Sequence, residues 1–302
     1  MLVKFQEHHF DSKPRLSIVC LTYNHEHYIR ESIESFLNQD VDFNIEILIH
    51  DDASTDNTAK IIKEYEKLYP FLIKPVYEEI NQYSIGGFAF SFDELKRAKG
   101  EYIALCEGDD YWIDSNKVQK QIKYLEENKD CSLCFHASRN FMNNDIFYIQ
   151  RPKIITKDYK YDMKYAMLFD GGFMATNSML FLNKHILEIP KWVIDAPAGD
   201  FALTLLLASK GKIGYIDETM SAYRVLAIGS WSIKIKNRAI ATKHYNSLLK
   251  MLAEFDVWST YRFSTYVLFK KSYYKLILCL VIAFRIFESI QNRLKNYVSQ
   301  FF

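Results

Sequence analysis

The chain has almost no net charge, no apolar run long enough to cross a bilayer, and no cysteine pattern that would cross-link it. Against 38 Lys and Arg stand 37 Asp and Glu, leaving +1 over 302 residues, so the molecule as a whole is not an electrostatic nucleic-acid binder. The apolar run Leu276–Phe284 has nine residues between Lys275 and Arg285, whereas a spanning helix needs about 20. Five cysteines is an odd number, and Cys20, Cys106 and Cys279 lie in apolar runs, the pattern of reduced, buried thiols in a cytosolic protein. Cys131 and Cys134 form a lone C-x-x-C with no second pair and no His at finger spacing, which argues against a zinc module. The first 15 residues are polar, so no secretory leader is expected. Repeats and low-complexity segments are absent. Apolar material is plentiful: 49% hydrophobic residues, with 21 Tyr and 22 Phe, are ample for a large core.

The first 130 residues alternate strand and helix. Leu16–Leu21 is an apolar run ending at Thr22, Tyr23 and Asn24. Ile29, Ile33, Phe36 and Leu37 then recur at helical spacing over about Glu26–Asn38. Ile45–Ile49 is a second strand running into Asp51 and Asp52, and Ile61, Ile62, Tyr65 and Leu68 mark a second helix closed by Pro70. A third strand is expected over Leu72–Val76, a helix near Phe88–Ala98, a fourth strand over Tyr102–Cys106, and a helix carrying Val118, Ile122 and Leu125. This alternation predicts an α/β fold with a mostly parallel sheet flanked by helices. Beyond residue 130, Ser132–Ala137, Thr176–Leu182 and Ile213–Ile216 read as strands and Asp200–Ser209 as an apolar helix stopped at Lys210–Lys212.

The most informative stretch is Tyr102–Trp112, where a strand-like run carries straight into Glu107, Asp109 and Asp110. Carboxylates crowded at a strand end repel one another and cost stability unless a cation is bound. The bland alternative is an acidic turn capping the helix after Asp114 and Ser115. Two more polar segments follow strands: Thr22, Tyr23 and Asn24 after the first, Asp51 and Asp52 after the second. In a doubly wound sheet all three emerge at the carboxyl edge, where ligands bind, although Asp51, Asp52 or Ser54 could equally cap the next helix. His25, Glu26 and His27 fall at a loop-to-helix turn with no further metal ligand nearby, which disfavours a metal site there. His8, His9 and His136 have no partner in sequence, and Trp112 and Trp231 read as core or as the floor of a binding site.

The segments Leu16–Asn24, Ile47–Thr58 and Gly100–Trp112 together resemble the family 2 glycosyltransferases of GT-A fold, in order and spacing, over about residues 15–130. A weaker match continues through Gly171–Phe181, Gly199–Leu203, Tyr223 and Arg224 to Ser230–Ser232. The resemblance implies that Asp52 sits against the nucleobase, with Asp51, Thr22, Tyr23, Asn24 and Glu26 around the nucleotide. Glu107, Asp109 and Asp110 occupy the acidic metal and sugar-nucleotide motif, with Asp109 and Asp110 as the metal ligands. Asp200 matches the catalytic base and Arg224 a diphosphate partner. Two departures stand out: Gly199 replaces the Glu that many members carry before the base, and Leu226 stands where many have His.

The implied activity is inverting, metal-dependent transfer of a hexosyl or N-acetylhexosaminyl group. The donor is a nucleoside-diphosphate sugar, expected to be UDP-linked, with Mn²⁺ or Mg²⁺ as cofactor. The acceptor is expected to be a glycan or lipid-linked glycan in capsule, lipopolysaccharide or exopolysaccharide assembly. A catalytic domain over 1–245 would comprise a nucleotide-sugar half (15–130) and an acceptor half (131–245). Residues 246–302 form a helical extension, and from Trp258 onward seven basic residues face the single acid Glu288. Basic residues interleaved with aromatics suit a helix lying on an anionic membrane surface, which would place the protein at the inner face of the cytoplasmic membrane. A hairpin packed on the domain or a homodimer surface are the alternatives. A sugar nucleotidyltransferase would want a Gly-rich basic loop after the first strand, which Thr22–His25 is not. A non-catalytic partner that keeps the fold rests on Gly199 and Leu226 alone.

Overall fold

Burial on both faces explains the strands that read most clearly in the sequence. In the computed structural model, which describes residues 13–142, 145–170, 172–225 and 237–280, β1 (Leu16–Thr22) and β2 (Ile45–Asp51) are buried almost throughout. They pair in parallel from Leu16 with Ile45 to Thr22 with Asp51. β3 (Ile73–Tyr77) extends the sheet beside β2, and β4 (Tyr102–Leu105) lies parallel to β1 on its other side. Helices α1 (Ile29–Leu37) and α2 (Thr58–Leu68) follow β1 and β2, and α1 turns Ile29, Ile33, Phe36 and Leu37 into the core. A short helix, α3 (Gln82–Gly86), precedes α4 (Ala89–Arg97), so the expected single helix near Phe88–Ala98 has an additional turn before it.

The buried Glu46 within β2 is neutralised at the opposite end of the strands from the acidic loops. It accepts from Ser17 Oγ at 2.7 Å, Lys99 N at 2.7 Å and Lys74 Nζ at 2.9 Å. A buried charge satisfied in this way is tolerated where an unpaired one would not be.

The main path of the sheet runs β3-β2-β1-β4 and on through β9 (Leu180–Leu182), β6 (Cys131–Met142), β10 (Lys212–Arg224) and β5 (Tyr111–Trp112), and the parallel half is the half the sequence made legible. The remainder is mixed. Short β5 (Tyr111–Trp112) and helix α5 (Lys117–Glu127) lead to the long β6 (Cys131–Met142), with β7 (Asp145–Gln150) antiparallel on it and β8 (Lys160–Tyr161) antiparallel on β10. β9 (Leu180–Leu182) runs antiparallel to both β4 and β6. The expected strand over Thr176–Leu182 is therefore shorter, because Thr176–Ser178 forms a 3₁₀ turn. Helices α6 (Met163–Phe169), α7 (Lys191–Ile194) and α8 (Gly199–Lys210) complete this half.

β10 (Lys212–Arg224) runs eight residues past the expected Ile216 end. Its register on β6 breaks between Ile216 and Thr219, which leaves Asp217 and Glu218 exposed and then returns Met220–Ala222 to the core. Two polar residues at a bulge masked a continuous strand.

The chain divides into two compact units, Met1–Ala227 and Ile228–Phe302. The expected boundary at residue 245 falls within a helix of the second unit, α9 (Arg238–Trp258). After a reversal at Thr260 and Tyr261, both with positive φ, a further helix, α10, covers 264–280. Phe255 stacks on Phe263 at 5.8 Å and Tyr245 meets Tyr274 at 5.4 Å, while Val267, Lys270, Tyr274 and Leu278 are buried. Leu268, Phe269, Tyr273, Leu276 and Leu280 remain exposed. His8, His9, Gly171, Leu226, Ser230–Ser232, Phe284, Arg285, Glu288, Arg293 and Lys295 lie outside the described residues.

Candidate active site

Two loops at the carboxyl edge of the sheet are stitched to one another before any ligand arrives. Asn24, in the left-handed region at φ 55°, accepts from Thr55 N through its Oδ1 at 2.8 Å, and its own N–H donates to Ser54 Oγ at 2.9 Å. Glu26 accepts from Asn57 N at 3.0 Å at the start of α2, and its N–H donates to Asp56 Oδ2 at 3.1 Å. Asp51 closes the same turn by accepting from Ser54 Oγ at 2.5 Å, and burial raises its pKa. Asp52 is buried, with Oδ1 accepting from Gln82 N at 2.5 Å and Oδ2 from Tyr83 N at 3.1 Å. Its carboxylate thus holds the N-terminus of α3. Each oxygen keeps a further lone pair for a donor above the loop. Tyr23 and Asn24 are both exposed at the end of β1.

The acidic loop after β4 is pulled onto α1. Gly108 N donates to Leu21 O at 2.9 Å, and Ser32 Oγ donates to the carbonyls of Gly108 at 3.0 Å and Asp110 at 2.6 Å. A side chain at 108 has no room: its Cβ would stand 2.6 Å from Thr22 Oγ1 and 3.0 Å from His25 Nδ1. The close approach brings the three acids together with opposite fates.

Asp110 points inward. It is buried, and its Oδ1 accepts from Arg224 N at 2.8 Å while Oδ2 accepts from Asn177 Nδ2 at 2.9 Å. Asn177 also donates to Ala222 O at 3.0 Å and accepts from Ser221 Oγ at 2.8 Å. Burial, then the charges of Asp109 and Glu107, raise the Asp110 pKa well above the usual carboxylate range. Of the two expected metal ligands, Asp110 therefore ties β10 and the 3₁₀ turn to the loop. Asp109 is the free one, part-exposed with Oδ2 3.9 Å from His25 Nε2.

Glu107 carries the clearest sign of a missing partner. Its Oε2 is buried without a hydrogen bond, and burial followed by the Asp109 charge pushes its pKa up to about 7. Thr22 Oγ1 and His25 Nδ1 are orphaned beside it. Burial lowers the His25 pKa, so the ring is held neutral against the pull of the nearby acids.

Asp200 is the second residue of α8 and exposed, and Phe201 N donates to its Oδ1 at 2.7 Å. The surrounding protein displaces enough water to raise its pKa. It faces Glu107 closely enough that its charge adds to the rise there, and Tyr223 on β10 feels Asp110, Glu107, Asp109 and Asp200 together. Arg224 is engaged as a clamp: Nε donates to Asp109 O at 2.8 Å, a terminal nitrogen donates to Glu31 at 2.9 Å, and the guanidinium lies 4.3 Å from the Tyr28 ring centre and 4.6 Å from that of Phe141. Burying a guanidinium against rings while satisfying its fork is what Lys could not reproduce.

These residues fit a divalent metal. Two neighbouring acids, one of them with an orphaned carboxylate oxygen and a pKa raised by burial and by the other's charge, form the hard-oxygen environment such an ion relieves. Among the described residues no three His, Cys, Asp or Glu side chains form a metal cage, so the fit is to an open site completed by ligand oxygens.

The model of glycosyl transferase family 2 matches residues 17–188, more than half of the sequence. The chain belongs to glycosyl transferase family 2. An uncharacterized protein of Mycobacterium tuberculosis, Rv1520, is 38% identical over 220 residues, covering 72% of this chain and 60% of its own. An Escherichia coli protein, the UDP-Glc:alpha-D-GlcNAc-diphosphoundecaprenol beta-1,3-glucosyltransferase WfaP, is 31% identical over 198 residues, covering 65% of this chain and 71% of its own. Staphylococcus aureus TarS, solved with UDP-GlcNAc, shares the fold at TM-score 0.60 and 18% identity over 80% of this chain and 66% of its own. The mannosyltransferase PcManGT of Pyrobaculum calidifontis, solved with GDP-Man and Mn²⁺, does so at TM-score 0.55 and 14% identity over 96% and 84%. This family 2 chain spans about 60% of the length of the mycobacterial relative.

Within this family 2 site, Ser32 and Asn177 have no role in the sequence reading. Ser32 is a lone polar residue on the apolar face of α1, and Asn177 sits where a polar triplet meets the apolar β9. Both signals are visible in retrospect, but each needed the loop conformation to acquire a partner. Cys131 and Cys134 are free, with Cys134 hydrogen-bonded to Gln121, and the buried His136 bonds a neighbouring carbonyl. Trp112 is core: its ring packs on Phe36 at 4.8 Å and its Nε1 donates to Asn177 O at 2.9 Å.

Proposed function

We propose that this chain is an inverting, metal-dependent glycosyltransferase. It takes a sugar from a UDP-sugar to a glycan or lipid-linked glycan of a cell-surface polysaccharide, working at the inner face of the cytoplasmic membrane. The observation that carries this reading is the convergence of Asp109, the orphaned Glu107 oxygen and the part-freed Asp200 at one sheet edge. When bound, a Mn²⁺ or Mg²⁺ ion supplies charge stabilisation to the departing diphosphate. Asp109 and Glu107 would hold it. Asp52 and Asn24, on adjacent strand ends, bound the nucleoside. Asp200 takes the acceptor hydroxyl proton as that oxygen bonds the anomeric carbon and the bond to the diphosphate breaks. Burial raises its pKa, which makes it a better proton acceptor than a solvated carboxylate. One base with one leaving-group clamp gives a single displacement, hence inversion.

The E. coli relative's UDP-glucose donor and diphosphoundecaprenol-linked acceptor support a UDP-sugar and a lipid-linked acceptor. The exposed Leu268, Phe269, Leu276 and Leu280 with Lys271 and Lys275 support interfacial binding, since no described helix is long and apolar enough to cross a membrane.

Calorimetric titration of UDP, GDP, CMP and dTDP, each with and without Mn²⁺, tests the reading on wild type and Asp109→Ala. Metal-dependent binding of UDP, lost in the variant, is expected. Binding of no nucleotide by folded protein would favour the non-catalytic partner instead.

A further inference from the structure

The segment between β3 and β4 joins the two ends of the site. Asp52 grips its first turn at Gln82 and Tyr83. His50, also at the end of β2, grips its second: Nδ1 meets Glu94 Oε1 at 3.1 Å and the ring lies 4.7 Å from Phe90. Glu94 is in turn paired with Arg97, whose guanidinium donates to Lys74 O at 3.1 Å. The segment 81–97 is therefore fastened to the nucleotide side of the sheet at several points. Between the two grips, Tyr83 packs edge-on against Phe88 at 5.2 Å, and the chain turns at Gly87, whose φ of 65° favours glycine.

Phe88 then reaches the other end of the site. A Cβ on Gly199 would stand 3.1 Å from Phe88 Cβ and 3.3 Å from its Cγ. Gly199 is the first residue of α8 and the immediate neighbour of Asp200. Phe88 therefore crowds the space in which a residue-199 side chain would begin, so that any Cβ there requires its neighbour to give way, which favours glycine at 199.

We propose that Phe88 is a positioning residue that sets Asp200 against the donor, standing in for the missing side chain at 199 and linking Asp200 to the Asp52-held loop. The proposal rests on the glycosyltransferase reading above. It makes Phe88 and Gly199 a matched pair: a larger residue 199 needs a smaller residue 88.

Full-length wild type, Phe88→Ala, Phe88→Leu, Gly199→Glu and the Phe88→Ala/Gly199→Glu double variant are compared. UDP binding is measured by calorimetry, and Mn²⁺-dependent hydrolysis is measured with UDP-glucose and UDP-N-acetylglucosamine. We expect Phe88→Ala to keep UDP affinity within about twofold and KM nearly unchanged while kcat falls about tenfold or more, with Phe88→Leu recovering most of it. Gly199→Glu alone should lose at least as much, and adding Phe88→Ala should restore part of that loss. Wild-type kcat in Phe88→Ala, or a Gly199→Glu effect identical in both backgrounds, would overturn the inference while UDP binding upholds the functional reading. A wild type that binds no UDP, or hydrolyses neither sugar, overturns that reading and this inference with it.

Discussion

The carboxylate of Asp110 accepts the backbone N–H of Arg224 at 2.8 Å, joining residues 114 apart in the chain. Through this bond and the one from Asn177, the acidic loop after β4 is fastened to the far half of the sheet. The side chain of Asp109, one residue earlier, takes no part in these bonds, and Arg224 Nε reaches only its backbone carbonyl. Two neighbouring acids therefore separate into one that is buried and fastened and one whose side chain stays partly exposed.

Asp110→Ala should accordingly act on folding. It leaves the Arg224 N–H and the Asn177 amide buried without their acceptor, a loss of about 2–4 kcal/mol. Asp109→Ala should stay within about 1 kcal/mol of wild type and lose metal-dependent UDP binding. Thermal unfolding and calorimetry on both variants check the division, and equal stability of the two would contradict it.

Asp200→Asn should fold and bind UDP as wild type does, because its side chain accepts only from Phe201 N among the contacts described. Transfer or donor hydrolysis should fall by about 10²–10⁴, the usual worth of a positioned base. Near wild-type turnover would remove Asp200 from that role.

The pH dependence follows from the raised Glu107 and Asp110 pKa values. A carboxyl whose folded pKa lies above its unfolded value binds more protons when folded. These groups therefore favour the folded state at low pH and cost stability as pH rises, for Glu107 from about 4.5 through about 7. A divalent cation offsets that cost once they ionise. Mn²⁺ should thus raise the unfolding temperature more at pH 7.5 than at pH 5.5, and the reverse order would refute the assignment.

Lys117 gives the opposite sign of linkage for a base. It is fully buried with Nζ 2.7 Å from Gln121 Oε1 and 4.0 Å from the Trp112 ring centre, and burial lowers its pKa to about 7. The unfolded chain binds the extra proton between about pH 7 and 10.4, so this group makes stability rise with pH across that window. Lys117→Met should remove up to about 1.4 kcal/mol per pH unit of that slope in chemical denaturation. An unchanged slope would mean the lysine stays charged in the folded protein.

The exposed face of α10 should govern membrane attachment. Phe269→Glu with Leu276→Glu in the full chain should abolish sedimentation with vesicles of phosphatidylglycerol and phosphatidylcholine, leaving UDP binding intact. Unaltered sedimentation would assign the attachment elsewhere.

Local pattern determined the parallel half of this protein: continuous apolar strands, amphipathic helices and acids at strand ends are all written within a few residues of each other. The same locality located Asp51, Asp52, Glu107, Asp109 and Asp110 as candidates, and the family resemblance added Asp200. Tertiary structure alone decided what each does. Asp110 became a fastening because Arg224 and Asn177 arrive from distant segments, and Arg224 became a clamp because Tyr28, Phe141 and the Asp109 carbonyl surround it. Asp52 gained its grip on α3 the same way. The full length of β10 was hidden because a bulge at Asp217 and Glu218 interrupts its alternation, and only pairing with β6 carries the strand past it. The physical reason is common to all of these: a carboxylate's role depends on whether its lone pairs are filled, and the donors that fill them come from residues remote in sequence.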